Sequence, residues 1–133
     1  MILEKDAAKR ERAAMSAART LAKLHSAGYV HNHLKIGNFV ADERGNVKLI
    51  DPTSLSSGLT YAGKQEERQV LNHIAIEAHS SDAEAQDRLR EKVQREYERV
   101  YGKYLGRFGQ QQNVLFQQEV ISDLPRRVKT TVA

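Results

Sequence analysis

Ala14, Ala17, Ala18, Leu21 and Leu24 recur at the spacing of one helix face, the signature of an amphipathic helix. The pattern predicts a helix from about residue 4 to 27, ended by Gly28 where a left-handed cap is favoured. Its stripe is mostly alanine, which lets a neighbour approach closely. Two short β-prone runs follow, 39–41 and 47–50, separated by Asp42-Glu43-Arg44-Gly45-Asn46, which is turn chemistry. They predict a hairpin with Val47 and Leu49 on one face and Lys48 and Ile50 on the other.

Small polar residues at 52–63, broken by Gly58 and Gly63, read as a loop. A second helix is expected from about 64 to 78, carrying Val70, Leu71, Ile74 and Ile76. Ser81, followed three residues on by Glu84, has the capping-box spacing. The helix it opens should run to about 105, with Leu89, Val93, Tyr97 and Tyr101 at four-residue steps, and Gly106 and Gly109 should stop it. Beyond lie a polar spacer at 110–113, a short apolar element at 114–121 and a tail at 124–133. The expected fold is mainly α with a small β-hairpin, an α+β arrangement in which helices must cover the hairpin. One domain is expected over 1–122, followed by a flexible basic tail over 123–133.

Composition narrows the class. The 133 residues are 40% hydrophobic and 29% charged, a globular balance rather than a disordered one. No apolar run reaches the roughly 18–20 residues that cross a bilayer, and the first residues turn charged at once, so neither membrane span nor secretory leader is expected. Cysteine is absent, which removes disulfides and thiolate metal sites and fits a reducing cytoplasm. The net charge of +4 is spread among interleaved acids and bases, with one small cluster at Arg126, Arg127 and Lys129. Without aromatic interleaving to stack bases, a nucleic-acid partner is not expected. The helix bearing Arg88, Arg90, Lys92, Arg95 and Arg99 interleaves with Glu84, Asp87, Glu91, Glu96 and Glu98, which predicts a self-compensated surface. Tyr97, Tyr101 and Tyr104 are expected to pack inward.

The densest chemistry lies in Leu24-His25-Ser26-Ala27-Gly28-Tyr29-Val30-His31-Asn32-His33-Leu34-Lys35-Ile36-Gly37-Asn38, continued through the hairpin to Asp51-Pro52-Thr53. From about Ala13 to Asp51 this resembles the catalytic loop and metal-binding turn of the protein-kinase-like superfamily, and is especially similar to small bacterial effector-type kinases. The resemblance places His31 on the loop histidine, Lys35 on the loop lysine, Asn38 on the metal-binding asparagine and Asp51 on the metal-binding aspartate. It implies the large lobe of that fold, with Mg²⁺ and ATP as cofactors. Asn38 and Asp51 would supply the hard oxygen ligands Mg²⁺ favours, and Lys35 would steady a transferring phosphoryl group. The effector likeness leaves delivery into a host cell open.

Two departures restrict the activity that this likeness implies. His33 stands where the family carries its catalytic aspartate. Histidine can serve as a base, but it brings no negative charge to align a hydroxyl, and Asn32 is no base. Only about a dozen residues precede the similar region, and no Gly-rich loop or strand lysine is present, so this chain is not expected to supply an ATP-covering small lobe. Asp51-Pro52-Thr53 also lacks the phenylalanine and glycine of the family turn.

The leading expectation is a pseudokinase-like domain that acts by binding and regulating a protein partner. The alternative is an active phosphotransferase with His33 and Lys35 in catalytic positions, completed by a small lobe from another chain or from further sequence. A third reading takes His25, His31, His33 and Asp51 as a transition-metal site, although a loop bending between His31 and His33 would separate their rings. His73 and His79 are expected to be ordinary surface or core histidines.

Overall fold

The computed structural model describes residues 6–50 and 55–105. Three helices carry most of it: α1 (Ala7–Ser26), α2 (Tyr61–Ala78) and α3 (Ala83–Leu105). Among the described residues, no helix is long and apolar enough to cross a membrane. The expectations for 106–133, including the domain boundary near 122 and the basic tail, fall outside the described residues.

α1 begins where Asp6 accepts the N–H of Ala8 at 2.9 Å, an N-cap satisfying one of the free donors of the first turn. Its predicted face is buried: Ala14, Ala17, Ala18, Leu21 and Leu24 have no exposed surface. That alanine face packs most extensively on α3 and also on α2. Arg10 Nε donates to the Ala78 carbonyl at 2.7 Å, and His25 bonds Glu67 at 2.8 Å. The start of α1 therefore meets the end of α2, and its end meets the beginning of α2. Arg68, in the first half of α2, bonds Gln94 at the middle of α3 and Glu98 beyond it. Hence α1 and α3 run in one direction and α2 runs against both.

The hairpin forms as the pattern predicts. Strand β2 (Phe39–Ala41) pairs antiparallel with β3 (Val47–Leu49), with Phe39 opposite Leu49 and Ala41 opposite Val47. Val47 and Leu49 are buried and Lys48 is exposed. Asp42 holds the turn by accepting the N–H groups of Arg44 at 2.8 Å and Asn46 at 2.9 Å, the Asx chemistry that favours this residue in turns.

Two hydroxyls one turn apart on α1 dock the hairpin. Ser16 Oγ accepts the Val47 N–H at 2.9 Å, and Thr20 Oγ1 donates to the Val47 carbonyl at 3.0 Å. Both hydroxyl residues are buried, and each satisfies a backbone group that would otherwise be costly to bury. Gly45, at φ +84°, lies where an added Cβ would be 3.3 Å from the Arg12 Cβ.

Three local expectations are corrected. A second antiparallel pair joins β1 (Tyr29–Val30) to β4 (Ser56–Ser57) inside the region read as loop. Its strands are two residues long, too short to leave a periodic trace. α2 starts at Tyr61 rather than about 64, because the Thr60 side chain caps it through the Gly63 N–H at 3.0 Å. Gly63 thus sits in the first turn and breaks nothing. Asp82 rather than Ser81 caps α3, accepting the Ala85 N–H at 3.1 Å.

Candidate functional site

The loop between β1 and β2 begins at His31, which is 2% exposed, and emerges at Asn32 and His33, both exposed. Asn32 makes the bend: its φ of 81° is left-handed, a region that asparagine tolerates better than most residues. Its side-chain amide donates to Ser56 Oγ at 2.8 Å. His31 and His33 consequently do not share a face, one ring going into the core and the other into solvent.

Glu67 of α2 holds this bend. One carboxylate oxygen accepts the His31 N–H at 3.1 Å and the other accepts the Asn32 N–H at 2.7 Å. The first oxygen also lies 2.8 Å from His25 Nε2, and His25 Nδ1 lies 2.6 Å from the Tyr97 hydroxyl. Glu67 is 5% exposed, while His25 and Tyr97 are fully buried. Three helices and the loop therefore meet in one hydrogen-bonded network.

Its protonation follows from its surroundings. Burial, opposed by Glu67, depresses the basicity of His25, so the ring is neutral. Burial pushes the Glu67 carboxyl up, but the hydrogen bonds from His25 and from the N–H groups of His31 and Asn32 outweigh it, and Glu67 ionises more readily than an ordinary glutamate. Burial pushes the Tyr97 phenol up. The phenol keeps its proton and donates to Nδ1, leaving Nε2–H to donate to the carboxylate.

Beyond the bend, a 3₁₀ turn over Ile36–Asn38 leads into β2. Asn38 Oδ1 accepts the Lys35 N–H at 2.8 Å, and the Asn38 N–H returns to the Lys35 carbonyl at 3.0 Å. The half-buried Asn38 thus ties its own turn. The Ile50 N–H donates to the Asn38 carbonyl at 2.8 Å, so the residue preceding Asp51 lies alongside Asn38. Asp51 itself lies outside the described residues.

His33 and Lys35, the expected catalytic pair, line one depression of about 250 Å³ together with Asn32, Glu66 and Glu67. The structure brings these two together and links Asn38 to them through the Lys35 backbone. The transition-metal reading loses His25, both of whose ring nitrogens are engaged. Among the described residues, no group of three histidines or carboxylates is placed to hold a metal ion. His79 bonds Glu11 at 2.6 Å and His73 is exposed, as expected of ordinary histidines.

Sequence reasoning missed Glu67. Within Lys64-Gln65-Glu66-Glu67-Arg68 it looks like solvated surface. The available signal was its register: Val70, Leu71 and Ile74 stand three, four and seven residues later, so Glu67 lies on the apolar stripe. A carboxylate on a buried face needs partners. No family model, curated protein or solved structure matches this chain.

Proposed function

We propose that this chain is a pseudokinase-like large-lobe domain that acts by binding and regulating a protein partner. The reading rests on the resemblance of residues 13–51 to a kinase-like catalytic loop and hairpin. The observation that carries it is the contrast between a firmly held loop and depleted chemistry. Glu67 fixes the backbone at His31 and Asn32, yet the next position holds an exposed histidine in place of an aspartate.

The remnant of a Mg²⁺-nucleotide corner is part of the proposal, one too weak to hold nucleotide at millimolar levels. Asn38 offers an amide oxygen that keeps one lone pair after accepting the Lys35 N–H, and Asp51 offers a carboxylate. Those donors suit Mg²⁺, which when bound would screen nucleotide phosphate charge. A ligand that binds only the folded state raises its melting temperature. The regulatory reading expects a shift below about 1 °C with Mg²⁺ and ATP near millimolar levels. A saturable shift of several degrees that Asp51→Ala abolishes would overturn it in favour of an enzyme.

One observation favours that second reading, a phosphotransferase completed by another small lobe. His33 and Lys35 share the depression beside the loop, where a base and a phosphate-steadying cation would both be needed. On this reading His33→Asp raises phosphoryl transfer to a generic protein substrate. Transfer absent from both forms counts against it.

A further inference from the structure

A second concavity, of about 710 Å³, lies between α1 and α3 and shares no residue with the depression beside His33. On α1 it extends from Ala8 to Arg19, on α3 from Lys92 to Arg99. At about 1.5 Å per residue the α1 wall is roughly 16 Å long, or three helical turns.

Five cationic side chains and two carboxylates line the groove, and both carboxylates are engaged. Glu96 takes Arg99 Nε at 2.8 Å and Arg19 at 3.0 Å, and these guanidinium groups hold its carboxyl down to about 2. Glu11 is turned to His79 at 2.6 Å. Arg95 pairs with Glu91 on the outer surface, where both side chains are about 70% exposed, an exchange that costs little to reverse. Among the described residues, exposed Arg12 and Lys92 are in no ion pair. The floor is apolar, formed by Met15 with Ala8. Methionine adapts to varied side chains. No aromatic residue lines the groove to stack a base, which separates it from a single-stranded nucleic-acid channel.

We propose that this groove docks an acidic amphipathic helix of a partner protein, with an apolar side chain over Met15 and carboxylates meeting Arg12, Lys92 and Arg95. An apolar stripe laid into a helix-lined groove supplies affinity, and the charged rim supplies orientation and partner choice. The groove is separate from the kinase-like loop, so the inference stands whether or not that reading holds.

The test is fluorescence anisotropy with the full chain and a labelled synthetic helix bearing leucine at four-residue steps on one face and glutamate on the others. Saturable binding is expected. Arg12→Glu combined with Lys92→Glu should weaken it at least about tenfold, and Lys92→Gln alone about threefold. Lys48→Glu, exposed on β3 outside the groove, should leave binding unchanged. Replacing the peptide leucines with glutamine should also abolish binding, since charge alone is screened over about 8 Å at physiological salt. Circular dichroism and melting curves check that the variants fold, and Lys92→Gln, which reverses no charge, decides the matter if the double variant does not. No saturable binding, binding indifferent to these substitutions, or tighter binding of a single-stranded oligonucleotide of equal charge would overturn the proposal.

Discussion

The Glu67 carboxylate accepts the backbone N–H of Asn32 at 2.7 Å across 35 positions of sequence. Burying a carboxylate is costly, and here the return is a fixed loop conformation. Glu67→Ala would leave the two loop amides and the His25 N–H without an acceptor. About 2–4 kcal/mol of stability should be lost in urea titrations. Glu67→Gln should cost less, because the amide oxygen can keep His25 and His31 while only the Asn32 contact fails.

Tyr97→Phe removes the hydroxyl that donates to His25 Nδ1 at 2.6 Å. The ring nitrogen would then be a buried acceptor with no donor, at a cost of about 1–2 kcal/mol. Tyr101→Phe, at a half-buried neighbouring position, should cost less than about 0.5 kcal/mol. Equal losses for the two would show that the network contributes nothing.

Acid should destabilise the fold in two stages. The folded value of His25 lies below its ordinary 6.5, so between the two the unfolded chain binds more protons and stability rises with pH. The His25 contribution is whole above about 6.5 and is lost as pH falls toward the folded value. Glu67 is depressed below its ordinary 4.5, so its contribution is whole above that and is lost on further acidification. Chemical unfolding from pH 8 to 2 should show a decline beginning near pH 6.5 and a further one below 4.5, and His25→Asn should abolish the upper stage. A stability flat down to pH 5 in the parent chain would contradict this assignment.

Asn32 holds a left-handed backbone. Asn32→Gly keeps that geometry but loses the bond to Ser56, and should change stability by less than about 1 kcal/mol. Asn32→Val should cost about 2 kcal/mol or more, since branching at Cβ disfavours positive φ. The pair of melting curves isolates the backbone requirement from the side-chain bond.

Gly45→Ala sets a methyl against α1, 3.3 Å from the Arg12 Cβ, at a φ of +84°. The hairpin would have to lift from the helix, straining the Ser16 and Thr20 bonds to Val47. About 1–2 kcal/mol should be lost by thermal or urea unfolding.

Features with a local cause were legible in the sequence. The alanine stripe of α1, the Asp42–Asn46 turn and the extent of α3 each follow from spacing or turn chemistry within a few residues. The bend separating His31 from His33 was expected only from the family resemblance, not from spacing or turn chemistry. What was not legible depends on distant chain. Glu67 finds its purpose 36 residues away at His31, and nothing in its charged neighbours shows that. His25 reads as the polar end of a helix, yet α2 and α3 together enclose it. The β1–β4 pair joins segments too short to show alternation. Gly63 illustrates the opposite error, a local signal given too much weight, since a glycine in the first turn of a capped helix costs little.

A surface loop ordinarily opens on its own, well before the rest of a protein unfolds. This one is fastened to a carboxylate at the point where α1, α2 and α3 converge, so releasing its amides leaves a buried charge short of partners. Hydrogen exchange at His31 and Asn32 should therefore run at the slow rate of the core, and a protease should find no cut there that leaves the bundle standing. Any molecule that met this face would encounter a surface whose shape is set before contact.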